Sequence, residues 1–521
     1  MKKVTDTSRT DFNSTILWIA LLLCLLGIIT RIPFRSQILH HWDSVNFALA
    51  LDHFDVRLHQ PHPPGTFVIY ILLGRLVNEF LHDPNRALVW LSVILSGLGV
   101  ASLYLLGEVL FNRKVALISA LLVLTSPLVW FHGEVALSYM LEFFWVPLVV
   151  YFCYKMETRS TWALFISALL LGLAGGIRPN TPVFLLPLWI LAVLYHRYSW
   201  KKILLALVVM GIGGLTWIVP MVAWSGGLKE YIEIMKWWQS QHTETSGSLA
   251  GIVTNTIRFI AYETYTFGLG LIPLGIAALR YWPVGWNALK VKLSFLGQKI
   301  PAAQKVKIFL NLQWDWKILT IIGWLLPGTV YLTIIHLRQP GHTFTVQTGY
   351  ILLAGLAIAS LIKQPRWIVS ITAAVVAVNA LFFLFAPTYL FGDTRMLFTT
   401  PSWNAIHDYD AFVIQRLEAI RANFSPQDTA VFASGRNYRL PDYYLKDYQI
   451  PELSHLVNSQ VVTLTGPISN LVIFDDFQLE TSSNIIFKVI SLPNGEHMRY
   501  FSWDSNQIVD VTPNSLALRP K

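Results

Sequence analysis

The chain has 521 residues, of which 54% are hydrophobic and only 13% charged, and its formal net charge is +9. Soluble domains carry roughly 25% charged residues, so this composition excludes a single water-soluble domain and indicates a polytopic membrane protein. The positive balance would suit a nucleic-acid partner, but the Lys and Arg lie mostly in short loops between apolar runs, where they read as a topology signal.

Apolar runs long enough, or nearly so, to cross about 30 Å of hydrocarbon recur from residue 15 to residue 387 and then stop. The first, 15–33, meets no small-residue cleavage site before Arg31 and reads as a retained span. Ten more follow at 87–110, 115–131, 141–154, 160–177, 181–196, 203–224, 259–279, 318–336, 346–362 and 367–387. Cys24 and Cys153 both fall inside these runs, so no disulfide framework is expected. The run 64–80 is short and carries Arg75 and Glu79, and loop charge decides its placement. If it lies along the surface, sixteen loop Lys and Arg between Arg113 and Arg366 share the cytoplasmic side, against five outside: Arg178, Lys229, Lys236, Arg258 and Arg338. If it spans, that bias inverts and the basic linker 280–317 is forced outside. Residues 64–80 are therefore read as a juxtamembrane helix.

Eleven spans from a cytoplasmic N-terminus put a long first loop, about 34–86, on the extracytoplasmic face. It holds Asp43, in His41-Trp42-Asp43-Ser44, together with His59 and His62. The same face receives His132-Gly133-Glu134, Gly176-Ile177-Arg178-Pro179-Asn180, the loop 225–258 with Trp237 and Trp238, and His336 to His342. The tail also lies outside, giving a membrane domain over 1–387 and an extracytoplasmic domain over 388–521. A carboxylate held at the membrane surface is where chemistry on a lipid-borne substrate would be done.

In the tail, 403–423 has helical apolar spacing through Ile406, Phe412, Val413, Leu417 and Ile420. Short β-type runs follow at 429–434, 460–465, 470–474 and 484–491, with Asn494-Gly495 as a hairpin turn before 498–503. An α/β domain is expected. It contains no Gly-rich phosphate loop, nucleophile elbow or paired-cysteine metal site.

Several short motifs occur in an order that agrees with this topology. They are Asp43 after the first span, His62-Pro63-Pro64-Gly65, Phe111-Asn112-Arg113-Lys114, Thr125-Ser126-Pro127 leading to Glu134, Gly172 to Pro179, and Arg338 to Tyr350. Over about residues 15–390 the set resembles the GT-C superfamily of membrane glycosyltransferases, nearest the bacterial aminoarabinose transferases and the protein O-mannosyltransferase-like branch. Three departures stand out. Asp43 is followed by Ser44 where the family often has an acidic pair, His62 stands where lysine is common before Pro-Pro, and the second acidic site is Glu134 rather than aspartate.

The resemblance implies a GT-C-like helical membrane fold, with about 11 transmembrane helices plus juxtamembrane helices. It implies transfer of a sugar from a polyprenyl-phosphate carrier to an acceptor hydroxyl of a lipid, glycan or protein, with inversion, on the outer face. No soluble cofactor and no metal are expected in that branch. The residues suit this chemistry. A hydroxyl nucleophile needs a general base, the role of Asp43 with Glu134 as second catalytic acid. The phosphate leaving group needs cationic donors, here His62, Arg178, Arg338 and His342.

Each assignment has a plainer rival. Asp43 could cap an interfacial helix, Glu134 could be a loop residue at a helix end, and Arg178 could be an interfacial anchor. His40, His41, His59 and His62 could bind a divalent metal with Asp43 and Glu134, although no metal-ligand spacing is present. Trp237 and Trp238 could stack on a sugar. A transporter would place ionisable groups near the bilayer midplane and show repeats, and neither is visible. A ligase or polymerase using a pyrophosphate-linked donor stays open, as does a scaffold whose outer domain binds a partner.

Overall fold

The computed structural model describes residues 14–240, 248–297, 301, 304, 314–451, except 391–398, and 460–520, except 463, 465–466, 476–477, 482–486, 504–506 and 512–514. The linker residues Lys299, Lys305 and Lys307, residues 484–486 of the β-type run 484–491, and residues 463 and 465 of the run 460–465 lie outside the described residues. The chain divides into two compact units: residues up to Arg35 with Ala50–Asn404, and Ser36–Leu49 with Ala405–Lys521.

The first unit is helical and multi-pass. Its helices are α1 (Ser14–Arg31), the C-terminal end of α2 (Trp42–Asp52), α3 (Val68–Leu81), α4 (Pro84–Leu110), α5 (Arg113–Leu124) and α6 (Pro127–His132). Then come α7 (Tyr139–Lys155), α8 (Thr161–Ala174), α9 (Asn180–Tyr195), α10 (Trp200–Trp224), α11 (Leu228–Ser240) and α12 (Leu249–Phe267). The last are α13 (Leu271–Leu293), α14 (Trp316–Ile334), α15 (Phe344–Leu361) and α16 (Pro365–Phe385). Each expected apolar run is helical. Among the described residues, seven stretches are long and apolar enough to cross a membrane, and the shorter apolar helices α8 and α9 add to them.

Local chemistry explains where the expected bounds shift. The run 115–131 is two helices, because Pro127 supplies no amide hydrogen and pushes Ser126 to an extended ψ of 119°. The run 259–279 is broken at Gly268, whose φ is +50°. A Cβ there would also sit 2.2 Å from Asn379 Oδ1. Helix α3 has 14 residues, about 21 Å at 1.5 Å per residue, which is short of the hydrocarbon thickness. Its Arg75 donates to the carbonyls of Leu51 and Ala50 at 2.7 and 3.0 Å.

Small residues let the helices approach closely. A Cβ on Gly97 of α4 would lie 2.5 Å from the carbonyl oxygen of Cys24 on α1, and one on Gly172 of α8 would lie 2.2 Å from that of Met210 on α10. Helix α4 is buried along most of its length, whereas α10 presents Leu204, Leu207, Val208, Ile212 and Leu215 outward.

The second unit holds α17 (Trp403–Asn423, from Ala405 onward), α18 (Arg439–Tyr444) and two four-stranded sheets. One has the order β1-β3-β6-β5, with β1 (Thr429–Phe432) parallel to β3 (Asn470–Ile473), and β6 (His497–Ser502) antiparallel to both β3 and β5 (Lys488–Ser491). The hairpin turns at Asn494-Gly495, where Gly495 has φ +83°. The other has the order β2-β7-β8-β4 (Gln460–Val462, Gln507–Val511, Ser515–Pro520, Gln478–Thr481). Buried Ile406, Val413, Leu417 and Ile420 make the inner face of α17. Strands β4, β7 and β8 have no counterpart among the expected β-type runs.

Candidate active site

Helix α8 ends at Ala174, and the chain turns through Gly175 and Gly176, where a Cβ would lie 2.4 and 2.7 Å from the Trp217 side chain. Gly176 O accepts from Ile69 N at 3.0 Å, tying this turn to the start of α3, and Arg178 N donates to Ala174 O at 3.1 Å. The Arg178 side chain is thereby held in the interior, only 8% of the residue being exposed. Its Cζ stands 4.6 Å over the Tyr139 ring, and its Nε is 3.6 Å from Oε2 of Glu142. That separation exceeds the roughly 2.7–2.9 Å of a charge-assisted hydrogen bond, so the attraction is mainly Coulombic. Glu142 Oε1 accepts from the hydroxyls of Thr181 and Thr345, the latter at 2.7 Å.

Tyr139 is shared. Its ring centroid is 6.3 Å from that of His342 and 5.1 Å from that of His132, and His342 stacks on His336 at 5.7 Å. Arg178 and His342, 164 residues apart in sequence, thus meet at one aromatic ring. Sequence reading named both and missed Tyr139 and Glu142. The available signal was Glu142 itself, a lone acid in an otherwise apolar run.

The other expected residues of this unit lie in separate settings. Glu134 follows α6 and is fully buried beside Trp130, within reach of the charges of Arg31 and Arg35. Burial pushes its carboxyl well above the usual range, against the opposing pull of the Arg31 guanidinium. Arg31 is also fully buried, 5.0 Å over the Trp130 ring, in an aromatic surround completed by Phe34 and Phe383. Arg338 is exposed, and its carbonyl accepts from the Tyr262 hydroxyl at 3.0 Å. His62 lies 5.0 Å from Phe67 and 6.4 Å from Trp238, while His59 stacks on Trp237 at 5.8 Å. The two tryptophans considered for sugar stacking therefore meet histidines of the first loop. No group of three metal-ligating side chains occurs among the described residues.

Asp43 belongs to the second unit, in the first turn of α2. Its amide donates to His41 Nδ1 at 3.1 Å, and its Oδ2 lies 3.4 Å from the same nitrogen. One imidazole nitrogen faces both groups. When it is bare it accepts from the amide, and when it is protonated it pairs with the carboxylate.

Residues 61–224, a stretch that includes His62, Glu134, Tyr139, Glu142 and Arg178, match the family model described as dolichyl-phosphate-mannose-protein mannosyltransferase. The chain is similar in structure to ArnT from Cupriavidus metallidurans bound to undecaprenyl phosphate, with 13% identity over 86% of this chain and 87% of that one and a TM-score of 0.51. Against the apo state of that protein the identity is 12%, over 94% and 97%, with a TM-score of 0.48. Against the apo Archaeoglobus fulgidus oligosaccharyltransferase it is 13%, over 83% and 64%, with a TM-score of 0.42. No curated protein matches the chain in sequence. Residues 61–224 of the chain thus carry a segment similar to that mannosyltransferase family, set in a polytopic helical fold similar to that of ArnT.

Proposed function

We propose that the chain transfers a sugar from a polyprenyl-phosphate carrier to an acceptor hydroxyl, with inversion at the anomeric carbon, on the extracytoplasmic side of the membrane. The supporting observation is the Arg178–Tyr139–His342 cluster, in which Arg178 and Tyr139 are buried, in a chain that shares the fold of a protein bound to undecaprenyl phosphate. In this reading eleven helical segments cross the bilayer and α3 lies along its outer surface.

An inverting displacement needs a base on one side of the anomeric carbon and compensation for charge on the other. The acceptor oxygen forms its bond to the anomeric carbon as the bond to the carrier phosphate breaks, and the hydroxyl proton passes to Asp43. The electron pair leaves on the phosphate. Arg178 and His342 offset that charge, with His62 and Arg338 as further contacts. Arginine suits this task because its planar fork stays charged and meets two oxygens at once. Glu142, on the guanidinium Nε, orients the fork and leaves its outer nitrogens for phosphate. Glu134, buried within reach of the Arg31 guanidinium, is the second carboxyl assigned to catalysis. No metal and no soluble cofactor enters the reaction so written.

The test compares wild type with Asp43→Asn for release of labelled sugar from prenyl-monophosphate donors, with and without EDTA, using a membrane extract as acceptor. Turnover that resists EDTA and is lost in the variant is expected. Equal turnover in both proteins would remove Asp43 from the base role.

A further inference from the structure

Asp43 has no rigid element before it. Residues 35–41 contain no helix or strand, and a carboxylate that must meet a hydroxyl within hydrogen-bond distance needs its backbone fixed. Within the second unit, that fixing comes from α17 and α18. Asp410 of α17, itself 4% exposed, takes two successive residues of the segment: its Oδ1 lies 2.7 Å from Ser36 Oγ, and its Oδ2 accepts from Gln37 N at 2.7 Å. Two residues on, Leu39 N donates to the Tyr444 hydroxyl at 2.9 Å. Tyr444 is pinned in turn, because Arg421 of α17 donates to its carbonyl at 2.7 Å. The His40 ring lies 4.4 Å from that of Tyr409, the neighbour of Asp410. Four of the five residues 36–40 are thus held, and α2 begins immediately after them with Val45 N donating to His41 O at 3.2 Å.

We infer that Asp410 is a positioning residue. Through Ser36 and Gln37 it fixes the segment that delivers Asp43, so that the C-terminal unit serves as the holder of the base. This rests on the proposed role of Asp43.

The atoms also say which substitution should be tolerated. Ser36 Oγ lies between two oxygens, Asp410 Oδ1 and Ile38 O at 2.8 Å, and has one hydrogen to give. If that hydrogen goes to Ile38 O, the group at the Oδ1 position must donate to Oγ. A protonated Asp410 does so, and so would the amide of an asparagine, while Oδ2 keeps the Gln37 amide in either case. Burial pushes the Asp410 carboxyl up to about 6, in line with a site that accommodates the neutral form.

The experiment uses the full chain reconstituted in lipid, with Asp410→Ala, Asp410→Asn, Tyr444→Phe and Asp43→Asn, and combines hydrogen exchange over 36–49 with transfer kinetics. Asp410→Ala should speed exchange of 36–49 and lower kcat by about 10- to 100-fold, the scale of a misplacement of about 1 Å, with KM for the donor changed much less. Asp410→Asn should restore both readings to near wild type. Tyr444→Phe should move them in the same direction as Asp410→Ala but less far, and decides the matter if Asp410→Ala does not fold. In an Asp43→Asn background, Asp410→Ala should speed exchange as before. Unchanged exchange in Asp410→Ala, faster exchange with unchanged kcat, or failure of Asp410→Asn to rescue each overturns the inference. Wild-type turnover in Asp43→Asn alone overturns the base assignment and this inference with it. An inactive Asp43→Asn with a fully active Asp410→Ala overturns this inference only.

Discussion

Replacing Arg178 by alanine is the direct way to probe a phosphate contact, but the structure predicts that it also unsettles the fold. At 3.6 Å and an effective dielectric of about 20, the attraction between Arg178 and Glu142 is about 5 kcal/mol before desolvation. Removing one member of a buried pair costs about 3–5 kcal/mol, because the remaining charge keeps its desolvation penalty and loses its counter-charge. The Thr181 and Thr345 hydroxyls still solvate Glu142, so the lower half of that range is expected. Glu142→Gln with Arg178→Ala removes both charges and should return most of this stability, while donor use stays impaired. The assay is thermal unfolding in detergent of wild type, both single variants and the double, paired with KM for a prenyl-phosphate sugar. If Arg178→Ala is as stable as wild type, or if the double variant is the sum of the two singles, the pair is not coupled and the reasoning fails.

Gly341→Ala would place a Cβ 2.3 Å from Tyr139 ring atoms, so the ring must move from beneath Arg178 and beside His342; kcat/KM should fall by at least about tenfold, a loss of about 1.4 kcal/mol in transition-state binding, and steady-state kinetics check it. Gly97→Ala would set a methyl 2.5 Å from the Cys24 carbonyl, which as backbone cannot swing aside. Overpacking of this kind costs about 1–3 kcal/mol, to be read as a lower unfolding temperature, whereas Gly211→Ala, with nothing within 4 Å, should be nearly silent. For Asp410, the folded value of about 6 exceeds the ordinary 3.8, so the native state holds more protons than the unfolded chain between these values. The contribution of Asp410 to stability is therefore fully present below about pH 4 and is lost, by up to about 3 kcal/mol, as pH rises through about 6. Thermal unfolding between pH 4 and 7 should show this slope in wild type, and Asp410→Asn should flatten it.

The helical membrane unit was legible because hydropathy is a sum over many residues, and each apolar run did become helical. What sums conceal is a single interrupting residue: Pro127 lies within an apolar run, and only its missing amide and its effect on Ser126 divide α5 from α6. At the site, Arg178 was visible as a cation after a glycine-rich helix end. Its pairing with Glu142 was not, since nothing in an apolar run says which way one acid faces. Asp43 was conspicuous in the first loop, yet its support comes from Asp410, whose contact with Ser36 spans 374 positions. In the tail, Asn494-Gly495 and the spacing of α17 were local signals and were read. Strands β7 and β8 pair with β2 and β4, in a sheet order that local propensity does not encode.

The division at Ser126–Pro127 has a consequence for how this protein can vary. In one uninterrupted helix, every inserted or deleted residue would translate the following loop by about 1.5 Å and turn it by about 100°, carrying Glu134 away from Arg31. Here α5 starts from its own cap, Asn112 accepting from Val115 N at 3.1 Å, and α6 starts afresh with Pro127 in its first turn. Ser126 is fully buried, so the irregular backbone between the two helices is shielded by the rest of the fold. The joint therefore uncouples the two helices: the direction in which the acid after α6 is presented follows from where α6 begins, not from the length of α5.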